Sequence, residues 1–191
     1  MSSYLADNIE SAQQMLGELV VLDAPVSKAA DAIATALLAG NKLLACGNGG
    51  SAADASHMTT EFVCRFNRDR KPYPAISLAA HGGDITAIGN DYAFDDLFAR
   101  QVECFGKKGD VLCAFTTSGQ SENVRRALIA AKKAGVVSIA FLGRDGGRCT
   151  GIADIELIVR NPSAARIQEG HKLLLHTICE IVEERLQAQE K

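Results

Sequence analysis

The 191-residue chain has no excess of basic residues: 20 Lys and Arg stand against 23 Asp and Glu, a net charge of −3. A general nucleic-acid binder would carry a basic footprint, so that class is disfavoured. No apolar run is long enough to span a bilayer. The opening MSSYLADNIESAQQ is polar and acidic, unlike a signal peptide. The six cysteines, Cys46, Cys64, Cys104, Cys113, Cys149 and Cys179, form no CxxC pair. Several lie in apolar runs such as KLLAC and DVLCAF, which predicts buried thiols in a reducing cytoplasm rather than a disulfide frame or a cysteine zinc site. Neither GxxxxGK[ST] nor GxGxxG occurs, so a nucleotide site is not indicated. A linker or low-complexity stretch is also lacking, and one domain over residues 1–191 is expected.

What is present is a 47% hydrophobic chain in which short apolar strands alternate with helical segments. Strands are predicted at KLLAC (42–46), AISLA (75–79), DVLCAF (110–115), VVSIAFL (136–142) and IELIV (155–159). Helices are predicted over 4–22, 26–38, from the GNGGS turn to about 66, 92–105, 122–133 and 164–187, with HGGD (81–84) as a flexible connection. Unbroken apolar strands between helices predict an α/β fold with a parallel sheet covered on both faces. Leu5, Ile9, Ala12, Leu16 and Leu19 form a narrow seam on the first helix. It suits packing on the same chain and packing against another subunit equally well.

Two segments share one plan. LLACGNGGSAADA and VLCAFTTSGQSENV each run from a buried strand through a small polar turn into a helix. Turns of this kind offer unpaired backbone N–H groups and the positive end of a helix dipole, which together hold a phosphate without a lysine. At the C-terminal ends of strands in an open α/β sheet, two of them would converge on one crevice. After the first turn, His57 and Glu61 stand four apart on one helix face, a spacing for metal ligands or for a base with its partner. An exposed polar pair accounts for the spacing slightly better. On the last helix, Gln168 and His176 are eight apart, roughly 80° in direction. Geometry does not separate His176 from His171.

GNGGSAADASH, TTSGQSENV and RIQEGHKLLLH resemble the sugar isomerase (SIS) domain family, and within it the phosphoheptose isomerases, over nearly the whole chain. The resemblance implies a three-layer, flavodoxin-like sandwich around a five-stranded parallel sheet. It also implies a homotetramer with sites at subunit contacts and the N-terminal helices, about 4–38, in the interface. The implied reaction is an aldose–ketose isomerisation of sedoheptulose 7-phosphate to D-glycero-D-manno-heptose 7-phosphate, the first step toward activated heptoses and bacterial lipopolysaccharide. Residue by residue, the resemblance makes Glu61 and His176 the acid–base pair. Asn48, Gly49, Gly50, Ser51, Glu61, Arg65, Asn90, Asp91, Thr116, Thr117, Ser118, Ser121 and Gln168 become substrate contacts. His57, Glu61, Gln168 and His176 become ligands of one zinc ion per subunit.

The sequence departs from that family at Ala165, where some relatives are acidic, at Thr116 and Gln120, where serine and asparagine are more usual, and in the glycine-rich HGGD. These differences bear on fine substrate preference. Two alternatives carry different expectations. A non-catalytic SIS protein that binds the replication initiator lacks the carboxylate and the late histidine, both present here. Another sugar-phosphate isomerase would act on a pentose or hexose phosphate.

Overall fold

The computed structural model describes residues 3–189. Five strands, β1 (Leu43–Gly47), β2 (Ala75–Ser77), β3 (Val111–Thr116), β4 (Val137–Gly143) and β5 (Ile155–Val159), form one sheet in the order β2-β1-β3-β4-β5. Every neighbouring pair is parallel. The helices are α1 (Tyr4–Glu18), α2 (Asp23–Leu38), α3 (Gly50–Val63), α4 (Gly82–Asp91), α5 (Leu97–Phe105), α6 (Glu122–Ala134) and α7 (Ala164–Gln189). This is the expected three-layer α/β sandwich, with the flavodoxin-like strand order.

The strands are apolar throughout because each face of the sheet is covered. Leu43 and Ala45 of β1 and Val111, Cys113 and Phe115 of β3 enter the core beneath α1, α2, α3 and α7. Leu44, Cys46, Leu112 and Ala114, one residue out of phase, enter the core beneath α5 and α6. The chain therefore leaves β1 toward one face and β3 toward the other, although these strands are adjacent. That reversal opens a crevice at their C-terminal ends, where the two small polar turns lie.

Several expected boundaries move. The first helical run ends at Glu18, a 3-10 turn covers Leu19–Leu22, and α2 starts at Asp23 rather than Val26. Pro25 is tolerated there because it falls in the first turn. HGGD is not a loose connection: β2 stops at Ser77 and α4 starts at Gly82, with Asp84 in its first turn, where a carboxylate complements the helix dipole. The helix expected over 92–105 is split. Tyr92 and Ala93 leave the helical conformation, the Arg100 guanidinium stacks 3.7 Å above the Tyr92 ring centroid, and α5 begins only at Leu97. Cys46, Cys113, Cys149 and Cys179 are buried as expected, but Cys64 and Cys104 are exposed. Residues 190–191, at the end of QAQEK, lie outside the described residues.

The α1 seam divides along its length. Leu16 and Leu19 pack on the chain's own core, whereas Leu5 and Ile9 are exposed. Tyr4 (92% exposed) and Val21 (81%) also leave apolar surface open along the N-terminal run. Among the described residues, no helix is long and apolar enough to cross a membrane.

Candidate active site

The turn after β1 is tight and runs directly into α3. Gly49 has φ +55°, a left-handed conformation that favours glycine, and Ser51 N–H donates to the Asn48 carbonyl at 3.0 Å. The turn after β3 is held by its own hydroxyls: Thr116 Oγ1 lies 3.1 Å from Ser121 Oγ and 3.4 Å from Ser118 Oγ. Ser118 Oγ also accepts from the Gln120 N–H at 3.1 Å. The two turns are tied together by reciprocal amide hydrogen bonds between Asn48 and Asn123, at 2.8 and 2.9 Å. Asn123 is buried, and its Oδ1 also accepts from the Val124 N–H at 2.9 Å. Sequence reasoning had no means of finding this bridge, since its two ends are 75 residues apart.

About two turns further along α3, the predicted pair is assembled. His57 Nε2 lies 2.7 Å from Glu61 Oε1, and both side chains are partly buried rather than splayed into solvent. Met58 and Phe62, on the adjacent face, are buried. The pair is completed from α7: His176 Nε2 is 3.4 Å from His57 Nε2, and its ring packs beside Phe66. Burial, then the neighbouring His57 and Lys172, hold the His176 imidazolium below the usual histidine range. The clustered donor atoms of His57, Glu61 and His176 all lie within 4.8 Å of one another.

Two further residues, absent from the sequence-based set, belong to this cluster. Lys172 Nζ is 2.9 Å from His57 Nδ1 and 2.7 Å from Asp54 Oδ1. Gln168, Lys172 and His176 are spaced by four on α7, and that regularity was the available signal.

The structure separates the two candidate histidines. His171 is fully buried, with Nε2 3.1 Å from the Leu142 carbonyl and its ring edge-on to Phe115 and Phe141. Burial pulls its pKa down from 6.5 to about 4. Between those values the unfolded chain takes up a proton that the native state refuses, so stability falls as pH drops from about 6.5 to 4. The expected loss is on the order of 3 kcal/mol. Urea midpoints at pH 7 and pH 4.5 check it, and the His171→Phe variant should lose that part of the slope.

Gln168 reaches the first turn, where its amide nitrogen lies so close to Gly50 that a β-carbon there would overlap it. The other expected contacts are not drawn in. Arg65 is exposed and, among the described residues, donates only to the Phe66 carbonyl, at 3.5 Å. Asn90 and Asp91 are exposed at the end of α4 and hydrogen-bond each other at 2.8 Å.

Residues 6–143 match the model of the SIS domain. A phosphoheptose isomerase of Clostridium acetobutylicum is 41% identical over 97% of this chain and 94% of that protein. The solved phosphoheptose isomerase of Francisella tularensis superposes with a TM-score of 0.92 at 37% identity, covering 96% of this chain and all of that one. That of Neisseria gonorrhoeae superposes with a TM-score of 0.89 at 38% identity, covering 94% and 97%. The chain belongs to the SIS domain family, among the phosphoheptose isomerases. The sheet's strand order accounts for the site's construction: the switch point supplies the paired turns, and α7 crosses back to dock Gln168 on the first of them.

Proposed function

We propose that this chain isomerises sedoheptulose 7-phosphate to D-glycero-D-manno-heptose 7-phosphate through an enediol. The carrying observation is the junction of a carboxylate and a histidine, Glu61 and His176, with two tied anion-binding turns. In this scheme the turns 48–51 and 116–121 hold the phosphate and the sugar, with Gln168 completing the first. Glu61 Oε1 faces His57, while its second oxygen has no partner among the described residues and is free to act. It takes a proton from C1 of the open-chain ketose. His176 moves protons at the substrate oxygens, and a proton returns at C2 to give the aldose. A carboxylate and an imidazole are among the side chains that serve as general base and general acid in such an exchange. Arg65, Asn90 and Asp91 would join the sugar only through side-chain movement or a neighbouring subunit.

His57, Glu61 and His176 fit a divalent ion in donor type and convergence, with the Gln168 amide as a fourth ligand, and zinc is the metal we assign. When bound, zinc would polarise the substrate carbonyl. We further assign a single domain that forms a cytoplasmic homotetramer through the apolar surface of the N-terminal helices. Its product would feed activated-heptose and lipopolysaccharide synthesis. The replication-initiator binding alternative gains nothing from a site whose carboxylate and histidine are both in place.

The direct test is incubation with sedoheptulose 7-phosphate in D2O, with and without zinc or chelator, followed by NMR. Deuterium at C2 of a new aldose is expected; no turnover in any metal condition from a folded oligomer would overturn the assignment. A second measurement probes the turn. Gly50→Ala should displace the Gln168 amide while leaving the fold intact, because the obstructing atoms end a flexible side chain. A drop in kcat/KM on the order of tenfold or more is expected, since small misplacements in a site are costly.

A further inference from the structure

Lys172 approaches His57 from the side opposite Glu61. Its Nζ is 2.9 Å from His57 Nδ1, and Glu61 Oε1 is 2.7 Å from His57 Nε2. The lysine is held there by Asp54, a carboxylate buried at the start of α3, whose Oδ1 is 2.7 Å from Nζ. Asp54 Oδ2 is buried with no hydrogen-bond partner among the described residues. Lys172, an ammonium in its ordinary form, is the cation paired with that carboxylate. An ammonium has donors and no acceptor. His57 Nδ1 must therefore be the accepting nitrogen, and the proton of the neutral ring sits on Nε2, facing Glu61.

We propose that Lys172 is a positioning residue that locks His57 in the Nε2–H tautomer, aims that proton at Glu61, and withholds the same nitrogen from a metal ion. Ligation through Nε2 requires the ring proton to move to Nδ1, where it would meet the lysine's own N–H groups. The outer partner of a metal-ligating histidine is ordinarily an acceptor, which supports the Nδ1–H form. Here that place is taken by a donor and a positive charge. Zinc entry thus requires Lys172 to withdraw, and without zinc Glu61 keeps a fixed hydrogen bond on one oxygen and its basicity on the other. The metal half of this inference rests on the zinc assignment above; the tautomer half does not.

The test uses the full-length, metal-stripped protein labelled with 15N-histidine, as wild type and as Lys172→Met and Lys172→Arg. Long-range 1H–15N correlations should show His57 as the Nε2–H tautomer in the wild type, a mixture in Lys172→Met, and the wild-type pattern in Lys172→Arg. Zinc affinity, measured by competition with a chromophoric chelator, should be on the order of tenfold tighter in Lys172→Met. An Nδ1–H tautomer in the wild type overturns the proposal, as does unchanged tautomer and affinity in a folded Lys172→Met protein. If neither protein binds zinc, the zinc assignment fails and the tautomers alone decide the role of Lys172. If Lys172→Met does not fold, the wild-type tautomer decides it.

Discussion

Replacing Glu61 with Gln should lower kcat by at least about a thousandfold, the upper range for loss of a general base, with little change in KM or thermal stability. The amide keeps the length of the side chain and an oxygen that can accept the hydrogen bond His57 now makes at 2.7 Å. The phosphate turns are built from other residues, and Asn48 and Asn123 continue to tie them together. What disappears is a group that can take a proton from carbon. The measurement is the rate of deuterium incorporation from D2O beside the melting temperature. A variant that keeps more than a tenth of wild-type turnover would remove Glu61 from the chemistry. One that loses its fold along with its activity would make the residue structural.

The second large effect concerns stability. Glu183 of α7 is buried and accepts from the backbone N–H groups of Phe66, Asn67 and Arg68, at 3.3, 3.1 and 3.0 Å. Its Oε1 also lies 3.4 Å from Arg70 Nε, an ion pair without the alignment of a hydrogen bond, and the Arg70 side chain is 2% exposed. Arg70 in turn donates to the carbonyls of Glu61 and Phe62, at 2.6 and 3.1 Å, at the end of α3. Glu183→Ala strands a buried guanidinium and three N–H groups at once. A loss of about 3–5 kcal/mol is expected, as for breaking one side of a buried pair. Urea unfolding measures it. A loss below about 1 kcal/mol would mean that water replaces the carboxylate or that the loop relaxes around its absence. Glu183→Gln should recover part of the loss, since it still accepts from the loop.

Elements with a strong local pattern were legible in the chain. β5 falls on Ile155–Val159 as expected, because an apolar run bounded by polar residues admits one strand. α4 was not legible, because Gly82 and Gly83 look like a loop when taken locally, and the packing of Ile85 and Ile88 against the α5–α6 core outweighs them. The same division runs through the site. The spacing of His57 and Glu61 gave the pair, but only the arrival of α7 makes it more than a surface feature. His171 and His176 are five apart, and spacing alone leaves them equivalent. The sheet decides, since one ring reaches the Leu142 carbonyl in the core and the other reaches His57. Lys172 stayed hidden because its partner Asp54 is far away in the chain, and a lysine on a helix ordinarily faces water.

Gln168, Lys172 and His176 occupy one stripe of one continuous helix, and this makes the site intolerant of a change in length there. A single residue inserted between 168 and 176 turns all that follows by about 100°. It would swing His176 away from His57 and carry Glu183 off the Arg70 loop in the same motion. Length variation within this architecture should therefore spare α7 between Gln168 and Glu183.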